Sequence, residues 1–205
     1  MKKRMIWLRI MVVIFFCTVE GSAVQTYNDG GVHEINTPIA KSVQIYDGPA
    51  NQPTTVELVA GGSVQDVDVY QNSLFLMSDG TFGDGRLALR DSSRGEISGG
   101  IVNDDPFYIW NNSQLIITGS DFSEGLWVYD EGQVYIYGSD FSIDDVPVGY
   151  GPVPVTNGLL EGTLWNGQIR SALNIRDNGM VTLVPEPASL SLLLGTLLLT
   201  RKRNR

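Results

Sequence analysis

A short motif returns along this chain at nearly constant spacing. Val67-Asp68-Val69-Tyr70-Gln71-Asn72-Ser73 is matched by Phe107-Tyr108-Ile109-Trp110-Asn111-Asn112-Ser113 and by Leu126-Trp127-Val128-Tyr129-Asp130-Glu131-Gly132. Degenerate copies open at Val43, Leu87 and Leu173. With Tyr46, Tyr70, Arg90, Trp110, Tyr129 and Arg176 as equivalents, the spacings are 24, 20, 20, 19 and 47 residues. A period this regular makes each copy one structural unit that buries its apolar face against the next. The last spacing is about two periods. It takes in 142–168, rich in Pro and Gly, which reads as an irregular loop or insert.

Each copy holds two short alternating segments joined by Asn, Asp, Gly or Ser, the pattern of strand, turn, strand. Period-2 alternation with β-branched and aromatic residues disfavours helix. Strands this short, recurring in one phase, predict an all-β fold: a single-stranded right-handed parallel β-helix, or β-solenoid, of about six coils. Coils stacked at about 4.8 Å would make a rod of roughly 25–30 Å. An antiparallel β-sandwich is the alternative. The inward residues are expected to be Val67, Val69, Leu74, Leu76, Leu87, Leu89, Phe107 and Ile109. They continue with Leu115, Ile117, Leu126, Val128, Val134, Ile136, Ile175 and Leu183. Phe82, Phe122 and Phe141 come after the second strand of their copies and are expected to stack as an internal column.

The two ends do not share the repeat. Met1-Lys2-Lys3-Arg4, an apolar stretch to Cys17 and Gly21-Ser22-Ala23 form the n-region, h-region and small-residue cleavage site of a signal peptide. Residues 1–23 are therefore expected to be removed after Ala23, following export through the Sec translocon. The bulky Phe15 and Phe16 before Cys17 argue against lipidation. The other end reads Pro185-Glu186-Pro187, then an uncharged run from Ala188 to Thr200, then Arg201, Lys202, Arg203 and Arg205. Prolines prevent helix across the hinge, the apolar run makes a short transmembrane helix, and the basic end stays cytoplasmic. At about 1.5 Å per residue that run spans roughly 20 Å, short of a bilayer core, which suits a transient signal.

Pro-Glu-Pro, an apolar run and a terminal basic cluster resemble the PEP-CTERM sorting domain, over residues 185–205 alone. The resemblance implies an exosortase substrate: a protein retained by its tail, then processed near Pro185-Glu186-Pro187 by a membrane enzyme. It further implies a Gram-negative envelope and a role in an exopolysaccharide or biofilm matrix.

Between the ends, 24–184 is expected to form the exported domain. It holds six basic residues against 21 acidic ones, a net of −15, whereas the whole chain stands at −9. A nucleic-acid partner is excluded by that balance, because phosphate neutralisation needs clustered cations. One Cys and one His leave no disulfide scaffold and no zinc finger. An outward stripe of Tyr70, Arg90, Trp110 and Tyr129 is the candidate ligand-binding surface, with Tyr108 and Trp127 beside it and Phe75, Ile116 and Tyr135 as a third column. The same stripe could serve only to stack coil on coil. Acidic turns such as Asp79-Gly80, Asp104-Asp105 and Asp144-Asp145 carry oxygens suited to calcium, but no stretch matches a calcium-binding motif. No metal and no cofactor is expected. Arg86, Arg90 and Arg94 with Asp91 and Glu96 are the one dense mixed cluster, and no G-x-S-x-G, H-E-x-x-H or P-loop is present. The sequence therefore reads as a non-catalytic exported surface or matrix protein, with a carbohydrate-active lyase or hydrolase on the same scaffold as the alternative.

Overall fold

The computed structural model describes residues 24–186, apart from 40, 41, 84, 104, 105 and 124. The chain is a β-solenoid of about five turns, as the spacing predicts in kind. Each complete turn lays down strands on three parallel ladders. The first ladder runs through Gln25–Tyr27, Val43–Ile45, Val67–Val69, Leu87–Leu89, Phe107–Ile109 and Leu126–Val128, and closes on the end of Gly167–Ile175. The second runs through Val32–Ile35, Thr55–Leu58, Leu74–Met77, Arg94–Ile97 and Gln114–Ile117 to Gln133–Ile143 and Met180–Pro185. The third joins Ser63–Val64, Thr81–Phe82, Ile101–Val102 and Asp121–Phe122 to Ile169. Every pair on these ladders is parallel, which excludes the antiparallel sandwich.

From Val67–Val69 on, the corner after each first-ladder strand has one recipe. The amide of Ser73 donates to the carbonyl of Tyr70, Ser93 to Arg90, Ser113 to Trp110 and Gly132 to Tyr129, at 2.9–3.2 Å. The second residue of each corner takes positive φ: Gln71 61°, Asp91 60°, Asn111 56° and Asp130 54°. Asn and Asp accept that conformation more readily than other side chains. Gln71 lacks that tolerance, and its amide is held by Asp91 Oδ2 of the next coil at 3.0 Å.

Of the sixteen residues expected to point inward, all but Leu74 and Leu76 are buried. Those two face outward, and Phe75 and Met77 fill the core instead. Register shows why: Leu74 pairs with Arg94, and Arg94 pairs with Gln114, so Leu74 stands in a polar column. In Leu-Phe-Leu-Met every residue is apolar, so hydrophobicity cannot choose a face, and a one-residue slip reverses all four. The outward third column is accordingly Leu76, Ile116 and Tyr135, not Phe75.

The phenylalanine column is also corrected. The third ladder orders Phe82, Val102, Phe122 and Ile169. Phe82 and Phe122 communicate through Phe107, edge-on to both at 5.4 and 4.9 Å. Phe141 lies elsewhere, against Tyr150 at 6.2 Å, because its strand runs straight from Gln133 to Ile143 without the corner the repeat would make.

The stretch 142–168 is an insert, but not an irregular one. Asn157–Leu164 pairs antiparallel with Gly167–Ile175 across a Trp165-Asn166 tip, and with the far end of Gln133–Ile143. Gly151–Pro152 pairs antiparallel with Leu183 and Thr182. The spacing of 47 is thus one coil with an excursion, since Leu126–Val128 pairs directly with Leu173–Ile175. The excursion returns two strands that cover the last edges of the first and second ladders, closing an end that would otherwise present open backbone.

Candidate functional site

From Val43–Ile45 on, first-ladder strands bury their first and third residues, and the middle one points away from the core. The middle column reads Gln44, Asp68, Ala88, Tyr108, Trp127 and Asn174. Beside it, at the corner, runs the stripe expected from the sequence, and the structure does bring those residues together. Tyr46 and Tyr70 stack at 4.5 Å and 4°. The Arg90 guanidinium lies 4.3 Å from the Trp110 ring and 5.8 Å from Tyr70. Trp110 and Tyr129 stack at 6.0 Å and 16°. Arg176 leaves the stack and donates from Nε to Asn174 Oδ1 at 3.0 Å. Loss of water around the Tyr46 ring, with Tyr70 beside it, raises its phenol pKa above the ordinary value. The stripe is half-buried, and its ring faces are turned on one another along the solenoid axis. It offers a ligand mainly edges.

Trp127 differs. Its ring is tilted 65° to both Tyr108 and Tyr129, at 5.2 and 6.4 Å. A Cβ at Gly125 would stand 3.0 Å from Trp127 Nε1 and 3.3 Å from its Cδ1. The Nε1–Cδ1 edge of the indole therefore packs over Gly125, and the ring, half-buried, stands out of the stack. Tyr108 is stacked on Trp110 at 5.0 Å and marks the boundary of a neighbouring groove.

That groove, below Tyr108, has a volume of about 550 Å³ and opens over Ser42, Gln44, Asp66, Asp68 and Arg86. Asp66 is pinned: Oδ2 accepts from Ser42 Oγ at 3.1 Å and Oδ1 from the Arg86 amide at 3.1 Å. The Asp68 side chain is 8% exposed, with Arg86 Nη2 at 3.5 Å. Its buried Oδ1 has no hydrogen-bond partner. Platform and groove thus adjoin on one face.

The mixed cluster expected from the sequence is not assembled. Arg86 turns to Asp68, Arg90 enters the aromatic stack, and Arg94 meets Glu96 at 3.8 Å on the second ladder. Asp91 accepts from the Gln71 amide. Among the described residues no group of three or more His, Cys, Asp or Glu side chains could hold a metal. Asp104 and Asp105 lie outside the described residues, and Asp79 Oδ1 accepts from the Gly80 amide at 2.7 Å. His33 Nε2 contacts Asp29 Oδ1 at 2.8 Å, and this hydrogen bond, with one from the Gly31 amide, lowers the Asp29 pKa.

Of the sorting residues, Pro185 ends a second-ladder strand opposite Gly138, one residue past the expected boundary, and Glu186 comes next, half-buried. Ala23, Pro187, Arg201, Lys202, Arg203 and Arg205, and the apolar run, lie outside the described residues. Among the described residues no helix is long and apolar enough to cross a membrane.

Sequence reasoning missed Ser42, Gln44, Asp66 and Asp68. Their signal was positional: they stand four and two residues before Tyr46 and Tyr70, and the offset of two is the one Tyr108 shares with Trp110 and Trp127 with Tyr129. Comparison of the chain with family models, with curated proteins and with solved structures found no match.

Proposed function

We propose that this is a non-catalytic exported surface or matrix protein that binds or scaffolds polysaccharide through the outer face of its first ladder. The observation that carries the reading is the contiguity of the half-buried Trp127 indole with Tyr108 and a polar groove. Sugar rings pair an apolar C–H face with equatorial hydroxyls, so they need an aromatic surface and hydrogen-bonding groups side by side. Export relies on the Sec translocon, and the tail with its Pro185-Glu186-Pro187 motif is the substrate of an exosortase-type processing enzyme.

Affinity electrophoresis of the purified protein in gels containing different polysaccharides tests the binding reading. Retardation by one or more polymers is expected, and Trp127→Ala abolishes it. A protein retarded by no polymer, or a Trp127→Ala variant that binds unchanged, overturns it. For the sorting reading, the mass of the protein from its native host is decisive. A cut near Pro187 is expected, and a chain ending at Arg205 refutes processing.

A lyase or hydrolase is the second reading, favoured by the meeting of Asp66, Asp68 and Arg86 in one groove. Paired carboxylates with a neighbouring base are the groups such reactions use. Release of reducing ends or unsaturated products from a bound polymer, lost in Asp68→Asn, would establish it.

A further inference from the structure

Resting on the polysaccharide-binding reading, we propose that the groove is a subsite for an uncharged, hydroxyl-rich sugar. One sugar hydroxyl bridges Asp68 and Arg86, donating to Asp68 Oδ1 and accepting from the guanidinium. Three observations lead there. Asp68 is more than nine-tenths buried, yet Oδ1 has no hydrogen-bond partner. Buried polar atoms are rarely left so, and a carboxylate oxygen can be satisfied only by a donor. Arg86 Nη2 at 3.5 Å is too long for that bond. The Arg86 side chain is 48% exposed and only its Nη2 comes within 3.5 Å of Asp68 Oδ1, so a small displacement admits a hydroxyl between the two. A hydroxyl is donor and acceptor at once, which is the combination this pair requires.

Charge selects further. Asp66 holds its own position through Ser42 and the Arg86 amide, and adds a second negative charge beside Asp68. The groove therefore carries two carboxylates against one guanidinium. The net negative charge repels a uronate. An ammonium placed between the pair can donate to Asp68 but cannot accept from Arg86, whereas a neutral hydroxyl does both.

The test is affinity electrophoresis of the full chain against dextran, galactomannan, polygalacturonate and chitosan, with and without added salt. Binding to a neutral polymer, insensitive to salt, is expected. Asp68→Asn and Arg86→Gln each weaken it by at least about tenfold, the loss of one charge-assisted hydrogen bond. Arg94→Gln, on another face, leaves it unchanged. Tighter binding to polygalacturonate or chitosan than to any neutral polymer overturns the inference. So does a neutral polymer whose binding Trp127→Ala abolishes but Asp68→Asn and Arg86→Gln do not change, which leaves the wider reading standing. Retardation by no polymer at all overturns both. Should Asp68→Asn fail to fold, the half-exposed Arg86→Gln reads the same subsite alone.

Discussion

Arg90 separates a structural stripe from a ligand-binding one. Its guanidinium sits between two coils, 4.3 Å from the Trp110 ring and 5.8 Å from Tyr70, both inside the limit of about 6 Å for cation–π attraction. The Nε is buried and has no hydrogen-bond partner, so ring faces rather than acceptors hold that end of the group. At a half-buried position such a contact contributes about 1 kcal/mol, with a smaller share from the more distant ring. Arg90→Met keeps the apolar stem and removes the charge, so it should destabilise by about 1–2 kcal/mol. Trp110→Leu costs more, because a large ring leaves a packed stack. In the double variant the losses should fall short of their sum by about 1 kcal/mol, the coupling of the pair. Reversible urea unfolding measured by circular dichroism compares all four proteins, and a common slope is needed for the cycle to hold. Arg94→Met is the control. Its contact with Glu96 is 3.8 Å long and solvent-exposed, worth less than about 0.5 kcal/mol. A coupling below about 0.3 kcal/mol would refute the cation–π pairing. So would an Arg90→Met protein of unchanged stability that no longer binds polysaccharide, which would restore the stripe as the ligand surface.

Three other perturbations probe the register, a turn and a side-chain hydrogen bond. Met77→Gln should cost about 3 kcal/mol by placing an amide in the core, whereas Leu76→Gln should cost under about 1 kcal/mol; equal urea midpoints would overturn the register. Gly100 adopts φ +87°, and a Cβ there would stand 2.8 Å from the Gly80 carbonyl oxygen, so Gly100→Ala should lose at least about 1–2 kcal/mol, and an unchanged midpoint would contradict the turn. The Asp29 carboxyl, held below its usual pKa by His33 and the Gly31 amide, is stabilising above the unfolded pKa of about 4 and loses that contribution as pH falls through the folded value. His33→Ala should move its NMR titration midpoint upward; an unmoved midpoint would remove the hydrogen bond as the cause.

Much of the architecture was legible because it depends on local rules repeated. Alternation in Val67-Asp68-Val69 and Phe107-Tyr108-Ile109 places their first and third residues inside, and a corner four residues long sets the phase of the strand after it. The one error of face, at Leu74 and Leu76, arose where hydrophobicity was weighed above phase; counting four residues from Tyr70, as from Trp110, sets Leu74 beside Gln114. The stripe residues were found for the same reason, since equivalence along the repeat is equivalence in space. The groove was harder to see. Asp66 and Asp68 come from one coil, Arg86 from the next and Ser42 from the one before, each unremarkable within its own copy.

Strand type, coil and the outward columns of the first ladder follow from period and alternation, which are properties of the chain's own backbone geometry. What those columns do is set by contacts between one coil and the next. Ring orientation depends on the neighbour: Tyr70 turns its face to Tyr46 and Arg90, while Trp127 tilts 65° from Tyr108 with its Nε1 edge over Gly125. The fate of 142–168 was likewise settled by unpaired backbone at the end of two ladders, which antiparallel strands from the insert satisfy.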